Sequence, residues 1–445
     1  MRSGSDPAGL GGARNGPPRG VHLNLRVRGL QKSPTVGINE LCTQLWQQGR
    51  EVYRMGLGQS PFPVPTSVVQ ALREHAERKE YLPVRGLPEL REAVADYYRR
   101  RNASRTTADD VLIGPGSKEL MFLLQIVYYG DLVVPTPAWV SYAPQARIVG
   151  REVHFLPTRA DQNWRLSAEA LEALCRHDEG RPRIIVLNYP SNPTGGSYEA
   201  HELEELATVA RRYEVIVLSD EIYGELHHQG AHVSIESFYP EGTIVSGGLS
   251  KWCGAGGWRL GTFSFPHELR WLLDAMEAVA SETYTATSAP IQCAAVRAFV
   301  GGLDIEQYLW RARRILAALA ETLVARLRAA GVRVQAPVGA FYLFPDFAPV
   351  AERLAGRGIT SSDALCLRLL DETGVAILPG SAFGRPGSEL CARLAYVNFD
   401  GARALAAAEA LPPDRPIDKE FLERYCGRTL AAVDRLCEWL EVGAR

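Results

Sequence analysis

Residues 245–261 are VSGGLSKWCGAGGWRLG, the most informative stretch of this 445-residue chain. They place a lysine, Lys251, in a loop of small residues, and an arginine, Arg259, follows eight positions later. A lysine in such a loop suits Schiff-base formation with an aldehyde, and a fixed guanidinium nearby suits a phosphate. One cofactor, pyridoxal 5′-phosphate (PLP), carries both groups on one molecule. The stretch therefore predicts that the rest of the chain supplies the other groups that PLP needs.

Composition and charge argue against several classes of protein. The chain is long enough to bury a large core, and its formal net charge of −2 gives no reason to expect nucleic acid or an anionic membrane surface as a partner. No apolar run reaches the ~20 residues of a membrane span. The eight cysteines form no CxxC pair and no cluster with histidine at zinc-ligand spacing. We therefore expect free thiols, no metal site and a cytoplasmic location.

Four segments are expected along the chain. Residues 1–32 are rich in Gly, Pro and Arg and are predicted to be a disordered tail. Residues 33–60 are expected to join a small C-terminal domain formed by residues 301–445, and residues 61–300 to form a large PLP-binding domain. An amphipathic helix is predicted from residue 33 to about residue 55, because apolar side chains recur there at helical spacing. The apolar face of that helix would consist of Ile38, Leu41, Leu45 and Trp46.

Strand and helix signals alternate through the middle of the chain. This alternation predicts an α/β fold with a mostly parallel central sheet and helices on both faces, followed by a smaller α+β unit. The predicted strands are residues 111–113, 132–134, 184–187, 215–218, 243–245, 332–334, 340–344 and 393–397. The predicted helices are residues 118–127, 201–212, 305–330 and 419–441. Because ligands bind beyond the carboxyl ends of parallel strands, the loops at those ends are expected to hold the functional site.

Three polar residues in these loops could serve the ring of PLP. Asp220 follows a buried strand and could pair with the pyridine nitrogen, although a turn or helix-capping aspartate is the alternative. Tyr223 could donate to the ring oxygen O3′, or it could pack in the core. Asn192 lies in the rigid turn NYPSNPTGG and could aim its amide at O3′ and at a substrate carboxylate, or serve the turn alone.

A phosphate site is predicted where a helix begins after the strand at residues 111–113. Gly116, Ser117 and Lys118 open that helix, and backbone N–H groups at a helix N-terminus attract an anion. Gly-Ser before a helix is also a common cap, and the spacing is not that of a Walker A loop. The phosphate cradle would be completed by Ser250, Arg259 and, from the segment EYLPVRG, Tyr81.

Two further residues complete the predicted site. Trp139, in PTPAWVSY after a strand end, is expected to cover one face of the ring, and the alternative is a surface or core tryptophan. Arg393, in ARLAYVNF, is expected to bind the α-carboxylate of an amino acid, because an inward-pointing arginine is costly to bury without an anion. The alternative is an arginine that faces outward.

Seven motifs occur in the order that one known family shows: YLPVRGLPELREAV, GPGSKEL, PTPAWVSY, NYPSNPTGG, SDEIY, LSKWCGAGGWRLG and ARLAYVNF. On these motifs the chain resembles fold-type I PLP-dependent enzymes, specifically class I/II aminotransferases of the aspartate aminotransferase superfamily. The resemblance runs from about residue 33 to residue 399. It implies the PLP-dependent transferase fold and a homodimer whose active sites lie at the interface between subunits.

The resemblance also implies roles around the cofactor ring. Lys251 would form the Schiff base with PLP and later shuttle the proton, and Asp220 would pair with the pyridine nitrogen. Tyr223 and Asn192 would contact O3′, and Trp139 would stack on the ring.

Further implied roles concern the phosphate and the substrate. Tyr81 would reach the phosphate of the neighbouring subunit, Arg393 would hold the substrate α-carboxylate, and Gly58 would lie in the segment that lines the substrate pocket. The residues around the phosphate of the same subunit would be Ser117, Lys118, Ser250 and Arg259.

Three segments depart from the family pattern. The pocket segment contains GQSPFPVP where the family commonly has GxPDF, GPGSKEL replaces an SGGKQAL type of loop, and CGAGG replaces AMTG. These departures leave the cofactor site intact. No second lysine or arginine is assigned to a distal substrate carboxylate, so the sequence leaves the substrate open.

Three functions are compatible with these patterns. The leading prediction is transfer of the amino group of an L-amino acid to a 2-oxo acid by a ping-pong mechanism. The alternative is another PLP reaction on the same scaffold, namely β-elimination, cyclisation or oxidation of an amino acid. A non-catalytic ligand-binding module of a transcription regulator would need a DNA-binding helix-turn-helix, for which residues 1–32 are a poor candidate.

Overall fold

The structure, a computed structural model, describes residues 23–102, 104–412 and 414–441. Most of the predicted disordered tail, residues 1–22, lies outside the described residues. Within residues 23–32, Nη1 of Arg26 donates to the carbonyl oxygen of Val149 at 2.8 Å, whereas most of the other side chains are exposed. Within the described ranges, no helix combines the length and the apolar character needed to cross a membrane.

Helices and strands alternate through the middle of the chain. The α-helices of the described residues are α1 (Pro34–Gln47), α2 (Thr66–Glu74), α3 (Pro88–Asn102), α4 (Ser117–Val127), α5 (Tyr142–Val149), α6 (Ala168–His177), α7 (Ala200–Arg212), α8 (Arg270–Ser281), α9 (Ala289–Val300), α10 (Leu303–Ala329), α11 (Ala351–Ala355), α12 (Ser362–Thr373), α13 (Gly401–Glu409) and α14 (Lys419–Glu441). The strands are β1 (Tyr53–Arg54), β2 (Val111–Gly114), β3 (Asp131–Thr136), β4 (Val153–Pro157), β5 (Arg183–Asn188), β6 (Ile216–Asp220), β7 (Thr243–Gly248), β8 (Gly261–Ser264), β9 (Tyr342–Leu343), β10 (Val375–Ala376), β11 (Leu378–Pro379) and β12 (Ala392–Ala395).

The central sheet has seven strands in the order β2-β8-β7-β6-β5-β3-β4. Its strands are parallel except β8, which runs antiparallel to both β2 and β7. Asn188, the last residue of β5, pairs with Asp220, the last residue of β6, and Asp220 pairs with Ser246 of β7. This register brings the loops that follow β5, β6 and β7 side by side at one edge of the sheet.

Alternate residues of the strands face opposite layers of helices. Leu132 and Val134 of β3 belong to a buried cluster that includes α4 and α8, whereas Val133 belongs to a cluster with α6 and α7. Burial of both faces explains the continuous apolar strands of the sequence. The predicted α/β fold, with a mostly parallel sheet and helices on both faces, is confirmed.

A second, smaller unit follows the long helix α10. Its antiparallel sheet has the strand order β11-β12-β9, and β1 from the N-terminal segment pairs with β10. Ala395 of β12 pairs with Tyr342 of β9, so Arg393 and Tyr342 lie diagonally across one face of these two strands. The division of the chain into domains at residues 32, 60 and 300 stays a prediction.

The structure corrects the predicted N-terminal helix. Helix α1 ends at Gln47 and not near residue 55. Its end is marked by Gly49, which has a φ of +82° and suits the left-handed position after a helix. Ile38, Leu41 and Leu45 pack against a buried cluster, but Trp46 is 64% exposed, so its place on the apolar face was wrong.

The structure also corrects several of the predicted strands. Residues 332–334 form no strand and make only one isolated bridge, between Arg333 and Asp346. The side chain of Arg328 donates twice to the carbonyl oxygen of Val334, so this backbone acceptor is occupied by a side chain and not by a neighbouring strand. Five strands were not predicted: β4 and β8 of the central sheet, and the two-residue strands β1, β10 and β11.

Candidate active site

A cavity of about 480 Å³ opens beyond the carboxyl ends of β5, β6 and β7 and extends to β12 of the small unit. Its position is the one expected for a ligand of a parallel sheet. The cavity brings together eleven of the predicted site residues: Gly58, Ser117, Lys118, Trp139, Asn192, Asp220, Tyr223, Ser250, Lys251, Arg259 and Arg393.

Two predicted site residues are not part of the cavity wall. Gly116 lies behind Arg259. Its φ of +95° favours glycine, and a Cβ on it would lie 2.3 Å from Nη2 of that arginine, which would have to move. Tyr81 is 93% exposed. Its predicted contact with the phosphate of a neighbouring subunit stays a prediction.

Lys251 borders the cavity three residues after the end of β7. Its Nζ donates to the carbonyl oxygen of Gly58 at 2.7 Å. Burial of the amine, followed by the positive charge of Arg393, lowers the pKa of Lys251 to about 8. A substantial fraction of the amine is therefore neutral near physiological pH, as a nucleophile or proton acceptor requires.

Asp220 is 4% exposed and is held by donors on both carboxylate oxygens. Oδ2 accepts from Oη of Tyr142 at 2.6 Å, and Oδ1 accepts from Oγ of Ser246 at 3.3 Å. Burial raises the pKa of Asp220 to about 6, while these hydrogen bonds and the charge of Lys251 act in the opposite direction. A cation beside this carboxylate, such as a protonated ring nitrogen, would stabilise its charged form.

Arg393 points into the cavity and is 1% exposed. Its Nη1 donates to Oδ1 of Asn192 at 2.9 Å, and its Nη2 donates to the carbonyl oxygen of Gly56. Its Nε is buried without a hydrogen-bond partner among the described residues. The outward-facing alternative is therefore wrong, and the guanidinium retains capacity for an anion.

Arg259 borders another part of the cavity wall. It has a φ of +56°, and it donates to the carbonyl oxygens of Gly256 at 3.0 Å and Pro115 at 3.3 Å. Lys118 lies nearby, with Nζ 5.0 Å from the centroid of the Trp139 ring, and burial and the charge of Arg259 lower its pKa.

The cations of the cavity share one property. In the part of the chain that the structure describes, no carboxylate oxygen lies within 4.0 Å of the charged nitrogens of Lys118, Lys251, Arg259 or Arg393. Arg393 is buried and Lys251 is partly buried, whereas Lys118 and Arg259 are exposed at the wall of the cavity. A cluster of cations with no carboxylate partner favours anionic ligands, most strongly at the buried Arg393. The cavity is therefore suited to bind a molecule, or a pair of molecules, with more than one anionic group.

Among the cavity residues that were not predicted, three make side-chain hydrogen bonds within the site: Asn188, Tyr142 and Tyr342. Asn188 connects two loops, since its Nδ2 donates to the Asp220 carbonyl oxygen at 2.8 Å and its Oδ1 accepts from the Asn192 N–H at 2.7 Å. Its place in NYPSNPTGG was a usable signal, and so was the position of Tyr142, three residues after Trp139. Tyr342 gave no signal, because an aromatic residue on a short strand usually indicates core packing.

The segments that depart from the family pattern contribute to the cavity wall. Gln59 comes from GQSPFPVP, and Gly256 and Gly257 come from CGAGG. A Cβ on Gly257 would have no atom of the described residues within 4 Å, so the part of the wall that they form is open at this point.

Known proteins show the same combination of sequence and fold. The chain matches the family described as aminotransferase class I and II over residues 50–411. It is 32% identical over 373 residues to an aspartate aminotransferase of Bacillus sp. (strain YM-2), and the alignment covers 82% of this chain and 92% of that protein. It is 31% identical over 384 residues to an asparagine–oxo-acid transaminase of Streptococcus mutans, and this alignment covers 84% of this chain and 94% of that protein. The solved aspartate aminotransferase of Thermus thermophilus with maleate matches 94% of this chain and 99% of its own, with a TM-score of 0.80 and 28% identity.

The fold and the cavity thus define an enzyme of the transaminase class. The chain belongs to the class I and II aminotransferases, a PLP-dependent family. The predicted aminotransferase function and PLP-dependent transferase fold are confirmed, and the other PLP reactions considered from the sequence are not favoured.

Proposed function

We propose that this aminotransferase binds PLP in the cavity beyond β5, β6 and β7 and moves the amino group of an L-amino acid to a 2-oxo acid. One observation carries the proposal. The same cavity is lined by the amine of Lys251, the carboxylate of Asp220 and two arginines, Arg259 and Arg393, that have no carboxylate partner among the described residues.

The residues present fit the cofactor. Asp220 would pair with the ring nitrogen, Trp139 would cover the ring and Lys251 would meet the aldehyde. The phosphate would be held by Ser117 at the N-terminus of α4, Ser250 and Arg259, with Lys118 adding positive charge. When bound, PLP supplies an aldehyde that condenses with amines and a ring that withdraws electrons from the substrate carbon.

The residues of the chain then have separate tasks. Arg393, oriented by Asn192, binds the α-carboxylate and fixes the direction of the Cα–H bond. The neutral amine of Lys251 accepts the α-proton and returns a proton later in the cycle. Asp220 keeps the ring nitrogen charged. An oxo acid leaves before the second oxo acid enters, which gives the ping-pong order.

The substrate class follows from the cavity and the relatives. The relatives named above act, by name, on aspartate and asparagine. We propose an L-α-amino acid as donor, and the side-chain preference depends on wall residues such as Gln59 and Gly257.

We further propose a cytoplasmic homodimer with shared active sites. The free cysteines of the described residues support a reducing compartment. The exposure of Tyr81 supports a contact with a second subunit. Sedimentation of the holoenzyme should show a dimer. Tyr81→Phe should weaken PLP binding while the dimer persists, and a monomeric holoenzyme would contradict the shared site.

Absorbance spectroscopy tests the proposed function directly. The wild-type protein with PLP should develop a visible absorbance band, and Lys251→Ala should not develop it. A screen of L-amino acids should then find donors that convert this band to the spectrum of pyridoxamine phosphate and release an oxo acid. A Lys251→Ala variant with full turnover would overturn the proposal.

A further inference from the structure

Two tyrosines share a hydrogen bond at the inner wall of the cavity. Oη of Tyr223 lies 2.7 Å from Oη of Tyr342. The two rings meet edge to face, with their centroids 5.6 Å apart, and both side chains are buried. Tyr223 follows β6 in the large unit and Tyr342 belongs to β9 in the small unit, so the contact joins the two parts of the site.

The surrounding backbone makes room for this contact. A Cβ on Gly58 would lie 1.9 Å from Oη of Tyr342, so the hydroxyl occupies space that only glycine leaves free. On the same face of the small sheet, the guanidinium carbon of Arg393 lies 4.8 Å from the centroid of the Tyr342 ring. Tyr342 is therefore fixed between the arginine and the hydroxyl of Tyr223.

We propose that Tyr342 is a positioning residue that holds the hydroxyl of Tyr223 for its contact with the ring oxygen O3′ of PLP. The proposal rests on the proposed PLP site. Each phenol carries one proton, so Tyr223 can donate to O3′ only if the proton between the two hydroxyls comes from Tyr342. Donation by Tyr342 also polarises Tyr223 and strengthens its own donation.

The charged groups near this pair come from three elements. They are Arg393 on β12, Lys251 in the loop after β7 and Asp220 at the end of β6. Burial raises the pKa values of both Tyr223 and Tyr342, so both phenols stay protonated at neutral pH. Each can therefore act as a donor.

A pH titration of the visible absorbance band of the PLP-loaded enzyme tests the proposal. A hydrogen bond to O3′ stabilises negative charge on that oxygen and lowers the pKa of the band. Tyr342→Phe should therefore raise this pKa by roughly 0.5 pH unit. Tyr396→Phe, which removes another buried hydroxyl of the small unit outside the cavity wall, should leave it unchanged.

A double-variant comparison shows whether Tyr342 acts through Tyr223. Tyr223→Phe alone should raise the pKa of the band, and adding Tyr342→Phe to it should cause no further change. An unchanged pKa in Tyr342→Phe, or additive shifts in the double variant, would overturn the positioning role. Failure of the wild-type protein to form any band with PLP would overturn the proposed function itself, and the positioning role with it.

Discussion

Oη of Tyr142 lies 2.6 Å from Oδ2 of Asp220, and this hydrogen bond connects the start of α5 to the end of β6. The ring of Tyr142 also meets the ring of Trp139 edge to face, with a centroid distance of 5.2 Å. Tyr142 therefore holds Trp139, which is proposed to cover the PLP ring, in a fixed position relative to Asp220, which is proposed to pair with the ring nitrogen. It also supplies a hydrogen bond that favours the charged form of a buried carboxylate.

Removal of this hydrogen bond should weaken cofactor binding. In Tyr142→Phe the pKa of Asp220 should rise further, so its carboxylate would pair less well with the ring nitrogen. A hydrogen bond to a charged group contributes roughly 1.5 kcal/mol, which predicts a dissociation constant for PLP about tenfold higher. Titration of the PLP-free protein by absorbance measures this constant. Tyr128→Phe, whose hydroxyl donates to the carbonyl oxygen of Arg183 elsewhere in the sheet, should bind PLP like the wild type.

The charge of Lys251 should destabilise the protein without cofactor. Burial lowers the pKa of this amine from 10.5 to about 8, so the folded protein holds the proton less tightly than the unfolded chain does. The free-energy cost of burying the charged amine is fully present below pH 8 and disappears as the pH rises through 10.5. Lys251→Met should therefore raise the free energy of unfolding at pH 7 by up to roughly 3 kcal/mol.

Urea unfolding of the PLP-free proteins at pH 7 and at higher pH measures this effect. The advantage of Lys251→Met should shrink at the higher pH. Lys419→Met is the matched control, because its side chain is 81% exposed, and it should change stability little. Equal stability of Lys251→Met and the wild type at pH 7 would contradict the expected cost of burial.

The rate at which PLP reacts with the protein should depend on the same amine. Only the neutral form of Lys251 attacks the aldehyde, so the rate of band formation should rise with pH and level off above pH 8. Stopped-flow absorbance across a range of pH values follows this reaction. A rate that keeps rising toward pH 10 would show that the amine retains the pKa of a solvent-exposed lysine.

Substitution of Arg393 should separate substrate binding from cofactor binding. Arg393→Lys keeps a positive charge but loses the planar fork that binds a carboxylate through two hydrogen bonds. We expect kcat/KM for the amino donor to fall roughly 10–100-fold, with PLP affinity unchanged. Arg385→Lys alters a partly buried arginine that pairs with Glu389 outside the cavity wall, and its kcat/KM should stay near the wild-type value. A large loss of PLP binding in Arg393→Lys would contradict the assigned position.

A side chain at Gly58 should disturb the inner wall of the cavity. In Gly58→Ala the new Cβ would clash with the hydroxyl of Tyr342, and the carbonyl that accepts from Lys251 would have to move. Overpacking of this kind costs roughly 1–3 kcal/mol of stability. Adding Tyr342→Phe to Gly58→Ala should restore only part of the lost stability, because two carbons of the ring would still lie 2.6 and 2.7 Å from the new Cβ. Thermal unfolding measures the change.

The control for this substitution is Gly427→Ala, in helix α14. Its Cβ would have no neighbour within 4 Å, so it should be neutral or slightly stabilising. Full wild-type stability in Gly58→Ala would show that the inner wall can shift without cost.

The sequence alone determined the class of fold and most of the site. Apolar strands that alternate with helices can be buried only in a parallel sheet covered on both faces, and polar residues at strand ends must then meet at one edge. The strand-end positions of Asn192, Asp220 and Lys251, together with the order of the motifs, predicted that these three residues share one pocket. These patterns are local in the sequence, so they can be recognised in a single sequence without a structure.

Only the tertiary structure decided which side chains touch. Tyr142 meets Asp220 across 78 positions of sequence, and Tyr223 meets Tyr342 across 119. Residues 332–334 have strand composition but form no strand: only Arg333 pairs with another segment, and the carbonyl oxygen of Val334 accepts from the side chain of Arg328 instead. Such contacts depend on how separate elements pack in space, and no spacing within one segment encodes them.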